Sequence, residues 1–193
     1  MTTTAALVVD IVDLPRQVGA VKDVRVETPA PADLGTDVIG VPEGSAVVLD
    51  AQLTSMEDGV LARGRADVHV HGRCVRCLRD FDDDRTVAFD ELYYLPQAAK
   101  AQVAEDDEEA DDLFLVGETD LDLEPALRDA LVLTLPFQPL CRQDCAGLCS
   151  QCGERLDDLP PDHHHEQLDP RWSALAALLP EQDEPGASRE EQG

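Results

Sequence analysis

Six cysteines and a run of three histidines are the residues of this chain whose types and spacing suit chemistry. Cys74-Val75-Arg76-Cys77 is one Cys-x-x-Cys, and Cys149-Ser150-Gln151-Cys152 is a second. Cys141 and Cys145 precede the latter as Cys-x3-Cys, and His163, His164 and His165 follow it. At the tip of a hairpin, a Cys-x-x-Cys lets backbone N–H groups point at both sulfurs, the way a zinc knuckle holds thiolates. Gly153 directly after the second pair supplies the positive φ that such a turn tends to need. Two pairs, a Cys-x3-Cys and a histidine run, with no cysteine left over, point to tetrahedral metal sites.

Six cysteines and two histidines make eight ligands, enough for two sites. One arrangement joins Cys74, Cys77, Cys141 and Cys145 in a first site, and Cys149, Cys152, His163 and His165 in a second. The rival is one local site of Cys141, Cys145, Cys149 and Cys152, leaving Cys74, Cys77 and the histidines spare. The split arrangement is preferred because the local site gives Cys74 and Cys77 nothing to do. Closing a loop between distant segments also gains more. Three adjacent histidines before Glu166 also read as a solvated turn. A thioredoxin-like redox pair needs a βαβ context, whereas Cys74 follows a strand of a meander. Sulfur-rich closed sites point to structural zinc, one ion or two, and no open position for catalysis. No Ser/His/Asp order, phosphate-binding glycine loop or His-Glu-x-x-His occurs, so no enzymatic activity is expected.

These residues need elements to position them. Residues 60–71 alternate over twelve positions: Val60, Ala62, Gly64, Ala66, Val68 and Val70 on one face, Leu61, Arg63, Arg65, Asp67, His69 and His71 on the other. Residues 46–55 alternate likewise, with Val47, Leu49, Ala51 and Leu53 on one side, and Glu57-Asp58-Gly59 between them is a hairpin turn. A third strand fits 85–95 through Val87, Phe89, Tyr93 and Leu95. The three make an antiparallel meander with one solvated face. Residues 7–14 read as a further strand and 27–45, rich in Pro and Gly, as an irregular connection. A helix fits 123–135, with Pro125 in its first turn and Pro136 ending it. A second helix fits 170–179, opened by Asp169-Pro170 and carrying Trp172, Leu175, Ala176 and Leu179 as its apolar stripe. The acidic run 104–112 reads as a disordered loop, and 181–193 as a disordered tail. The fold class is α+β: an antiparallel meander sheet, one packed helix, a zinc-bound Cys-rich insert at 141–165 and a C-terminal helix, all in a single domain over 1–180.

The formal charge is −26, from 41 acidic and 15 basic residues in 193. A field of that sign repels phosphate and anionic lipid, so contact with nucleic acid must be local or run through a basic partner. Five of the thirteen arginines lie within 63–79. Arg63, Arg65, His69, His71 and Arg73 share the solvated strand face, and Arg76 and Arg79 continue through the knuckle. That stripe is the candidate RNA-binding surface. The alternative is that it pairs with the nearby Asp80, Asp82, Asp83 and Asp84, in surface pairs worth little. No apolar run approaches the ~20 residues of a membrane span. The N-terminus does not look like a signal peptide, so the expected location is cytoplasmic, where thiols stay reduced.

Glu43-Gly44-Ser45, Cys74-Val75-Arg76-Cys77, Leu135-Pro136-Phe137-Gln138-Pro139-Leu140-Cys141, Gly147-Leu148-Cys149-Ser150-Gln151-Cys152-Gly153 and Asp169-Pro170-Arg171-Trp172 occur in that order. The series resembles the YceD family, the large ribosomal RNA subunit accumulation proteins, over about residues 20 to 180. The resemblance implies a role in accumulation or processing of 23S rRNA and in large-subunit biogenesis. It implies no catalytic residues, no small-molecule substrate and no membrane. The expected partner is a 23S rRNA precursor or, if the chain is an acidic adaptor, a basic large-subunit ribosomal protein.

Overall fold

A computed structural model describes residues 7–102 and 113–165. The acidic run 104–112, the 170–179 helix and the 181–193 tail expected from the sequence lie outside the described residues. Among the described residues there are eight strands: β1 (Val8–Asp10), β2 (Val21–Pro29), β3 (Leu34–Gly35), β4 (Ile39–Val41), β5 (Ala46–Ser55), β6 (Gly59–Arg73), β7 (Asp80–Tyr94) and β8 (Asp120–Asp122). Two α-helices accompany them, α1 (Pro96–Gln102) and α2 (Glu124–Thr134), with a short 3-10 helix at Leu156–Asp158.

The architecture is mostly antiparallel sheet with few helices, as an α+β fold requires. β5, β6 and β7 form the expected meander. β6 pairs over Val60–Val68 with β5 on one side and along its whole length with β7 on the other. β2 extends the sheet beyond β5, and the β3–β4 hairpin meets the far end of β6 through Ile39↔Gly72 and Gly40↔His71. β1 and β8 make a separate two-stranded sheet.

The alternation in β6 decides which face is wet. Its even-numbered residues from Val60 to Gly72 are buried, while Arg63, Arg65, Asp67, His69, His71 and Arg73 are exposed. The buried face meets Val47, Leu49 and Leu53 of β5, Val87, Phe89 and Tyr93 of β7, and Leu127 and Leu131 of α2. α2 packs on β7 and β3. It begins with Pro125 in its first turn, with Asp122 Oδ1 accepting from the Glu124 N–H at 3.0 Å. Leu135 is already extended, as the residue before Pro136 must be.

Three expectations change. Residues 27–45 are not wholly irregular: they hold the end of β2 and the β3–β4 hairpin, whose Gly35 and Gly40 allow a close backbone crossing that side chains would block. The first strand is shorter than 7–14, because Asp10 turns back to accept from the Val12 N–H. β7 begins at Asp80 rather than at 85, since Asp80, Asp82 and Asp84 stand opposite Arg73, His71 and His69 across the ladder, while Asp83, opposite Val70, pairs with Arg85. Among the described residues no helix is long and apolar enough to cross a membrane.

Candidate metal centres

The β6–β7 connection, Cys74–Arg79, carries the first cysteine pair at one end of the sheet. Its turn closes through Leu78 N–H to Cys74 O and Cys74 N–H to Arg79 O, both 2.9 Å. The chain leaving α2 comes back to it, with the Val75 N–H donating to Pro139 O at 2.9 Å. That return brings Cys141 and Cys145 to Cys74 and Cys77, although more than sixty residues separate the pairs. Cys149–Cys152 repeats the knuckle: Cys149 N–H donates to Glu154 O and Gly153 N–H to Cys149 O.

Two groups of four result, Cys74, Cys77, Cys141 and Cys145, and Cys149, Cys152, His163 and His165, with the ligand atoms in each within 4.8 Å of one another. They are the two sets of the split arrangement. The rival local set is divided between them, and His164 turns away, with Nδ1 2.8 Å from Asp162 O.

The distances suit a tetrahedral ion. With Zn–S about 2.3 Å, neighbouring sulfurs of a tetrahedron stand about 3.8 Å apart, and with Zn–N about 2.0–2.1 Å a sulfur and a nitrogen stand about 3.6 Å apart. Cys74 Sγ lies 3.8 Å from Cys145 Sγ and Cys77 Sγ lies 3.7 Å from Cys141 Sγ. Cys152 Sγ lies 3.6 Å from His163 Nε2. Both groups could therefore hold a metal ion.

Electrostatics favours a cation in the first group. Burial pushes the Cys74 thiol up, but the backbone N–H groups of Cys141, Cys77 and Arg76 outweigh it and bring the thiol down to about 6. Burial and the neighbouring sulfurs of Cys77, Cys74 and Cys145 push Cys141 up to about 12. Four thiols this close do not all ionise unaided; a dication would resolve the conflict. In the second group the N–H groups of Cys152 and Gln151, with His163, bring Cys149 down to about 6.

Around the sulfurs lies a set of arginines. Arg76 Nη1 donates to Cys145 O at 3.0 Å and Arg155 Nε to Cys77 O at 2.9 Å. Arg79 pairs with Asp158, and Arg142 with Asp157. These contacts tie the second loop to the first knuckle. Spacing gives no sign of the roles of Arg142 and Arg155, because their partners are a backbone carbonyl and a carboxylate fixed only by the fold. Arg76, grouped in sequence with the candidate RNA-binding stripe, supports this site instead through Cys145 O.

Apart from Arg65, the rest of the stripe is met by carboxylates. Arg63 bonds Asp90, and Arg73 Nε donates to Asp80 Oδ1 at 2.8 Å. His69 Nδ1 is 2.8 Å from Asp84 and His71 Nδ1 2.9 Å from Asp82. Arg65 stands opposite Asp50, whose carboxylate is taken by Arg25, and has no ion pair among the described residues. The alternation that aligned the cations on β6 also aligned aspartates on β7 beside them.

Comparison with known proteins places these features. The family described as "Large ribosomal RNA subunit accumulation protein YceD" matches residues 62–179, a span holding all eight candidate ligands. An uncharacterized protein of Mycobacterium tuberculosis, Rv2926c, is 40% identical over 178 residues, which is 92% of this chain and 84% of that protein. The uncharacterized Mycobacterium leprae protein ML1660 is 32% identical over 189 residues, 96% of this chain and 85% of its own length. YlbN of Bacillus subtilis, also uncharacterized, is 31% identical over 80 residues, 41% of this chain and 46% of that protein. No solved structure matches the chain. The chain belongs to the YceD family of large ribosomal RNA subunit accumulation proteins.

Proposed function

We propose that this protein is a cytoplasmic, non-catalytic factor for 23S rRNA accumulation and large-subunit biogenesis, with two structural zinc ions. Membership of the YceD family is the observation that carries the ribosomal part, and the two four-ligand groups carry the metal part. Each group is a closed set, which leaves no position for substrate and suits structure rather than catalysis. Zinc would fix residues 74–79 and 141–165 as one rigid head on the sheet. That head presents apolar side chains to solvent, among them Val75 and Leu78.

Direct contact with 23S rRNA through the β6 stripe and contact with a basic large-subunit protein are the two modes open to such a factor. Six of the seven stripe residues already hold a carboxylate or carbonyl partner: Arg63, Arg73, Arg79, His69, His71 and Arg76. With a net charge of −26, that pairing favours a basic protein.

Depletion in a bacterium that carries the protein tests this reading. Mature 23S rRNA is expected to fall relative to 16S and to be restored by the wild-type chain but not by a C77S/C141S variant. An unchanged ratio of 23S to 16S rRNA refutes the ribosomal role. A salt-sensitive pull-down of a basic large-subunit protein that survives nuclease supports the protein contact, and its loss with nuclease supports RNA.

A further inference from the structure

We infer that the two metal sites are unequal: the Cys149, Cys152, His163 and His165 group is an exchangeable zinc site open to hydroperoxides, and the four-cysteine group keeps its ion. The inference rests on the metal reading above and concerns how the two sites differ.

Access differs first. Cys74, Cys77 and Cys145 are at most 2% exposed and Cys141 is half-buried, and Phe81, Leu140 and Leu148 pack around them. In the other group Cys152 and His165 are exposed, and Cys149 and His163 are half-buried. Water, a chelator or a peroxide meets the second group without any opening of the fold.

Support differs next. The ligands of the first group stay together without metal, because the β6–β7 ladder and the bonds Val75–Pro139, Arg76–Cys145 and Arg155–Cys77 hold their segments. An ion that leaves one sulfur there finds it still within reach, so escape is slow. The histidine arm is held far less. Among the described residues, the hydrogen bonds of 159–165 run within 156–165, save the Cys152–His163 contact. The donor sets differ too: four thiolates in one, two thiolates and two imidazoles, which protons compete for near neutral pH, in the other.

The same exposure fixes the redox chemistry. A hydroperoxide, H2O2 being the simplest, accepts attack by one exposed thiolate: an S–O bond forms, the O–O bond breaks and hydroxide leaves. The second thiolate of Cys149-x-x-Cys152 then displaces the sulfenic oxygen and an S–S bond forms. Two electrons pass from the sulfurs to the peroxide, and two protons from solvent complete two waters. His163 and His165 are then the only ligands remaining, too few to retain zinc, and the 159–165 arm is released.

Zinc-loaded full-length protein, followed by native mass spectrometry with a chromogenic chelator, tests this. Two zinc ions are expected at the start, one leaving at least about tenfold faster than the other. Added H2O2 should release that same ion and produce a disulfide that peptide mapping assigns to Cys149–Cys152. A C149S/C152S variant should start with one zinc, hold it against both reagents and keep the circular dichroism of the parent. Release of both ions at one rate, or a first disulfide among Cys74, Cys77, Cys141 and Cys145, overturns the inference while leaving two metal sites in place. A chain that takes up no zinc overturns the metal reading itself.

Discussion

Leu78 and Gly153 occupy the same place in two cysteine knuckles. Each follows the second cysteine of a Cys-x-x-Cys, and each has a positive φ, 56° and 75° respectively. Glycine takes that conformation freely, whereas a leucine pays about 1–2 kcal/mol for it. The Leu78 side chain is 55% exposed, so little burial offsets the strain. Leu78→Gly is therefore expected to stabilise the zinc-loaded protein by about 0.5–1 kcal/mol after the entropy that glycine adds to the unfolded chain. Gly153→Leu is expected to do the reverse. Urea midpoints of the two variants check this; a lower midpoint for Leu78→Gly would mean that the side chain, not the turn, holds the knuckle.

Arg155 offers a second expectation. Its Nε bond to Cys77 O supports a ligand from behind. Arg155→Ala should leave the sheet folded and raise zinc loss from the four-cysteine site about 10–100-fold. Chelator competition measures it, and an unchanged off-rate removes Arg155 from the support of the site.

Gly64 lies opposite Phe89 in the β6–β7 ladder, and a Cβ on Gly64 would sit 2.2 Å from the Phe89 ring. Gly64→Ala should cost about 1–3 kcal/mol through overpacking. In a double-mutant cycle with Phe89→Leu most of that cost should vanish, because the ring is what the methyl meets. Strictly additive losses would put the strain elsewhere.

His69 gives a pH dependence. The hydrogen bond to Asp84 raises its pKa above the ordinary 6.5, with further help from the charges of Asp84 and Asp82. A raised folded pKa stabilises the protein fully below the unfolded value, and that contribution is lost as pH rises through the folded one. Stability owed to His69 should therefore be present at pH 5.5 and fade above pH 6.5. Asp84→Asn should flatten that part of the profile. An NMR titration placing His69 at or below 6.5 would contradict the account.

The sheet could be read from the sequence where one face is apolar and the other polar. Val60 to His71 shows that alternation without a break, and Asp58-Gly59 marks the turn before it, so β5 and β6 were legible to within a residue or two. β7 was legible only from residue 85. Asp80, Asp82 and Asp84 look like a charged turn until Arg73, His71 and His69 stand opposite them, and cross-strand neighbours are a property of register, not of composition. Pairing of the β6 cations with these aspartates could be read as one alternative, but which aspartate meets which cation could not, because register sets it. The ligand groups were legible because eight ligands make two tetrahedral sites and a single local site would leave Cys74 and Cys77 without a role. Leu78 in a glycine position and Arg155 behind Cys77 were not, since one breaks the local rule and the other bonds a backbone atom.

X-ray absorption at the zinc edge, with a metal count on the same freshly purified sample, tests the central claim most directly. The account predicts two zinc ions per chain and an average shell of about three sulfurs and one nitrogen, the mean of a four-cysteine site and a two-cysteine, two-histidine site. One zinc with four sulfurs and no nitrogen, or protein that folds and functions without metal, would contradict it.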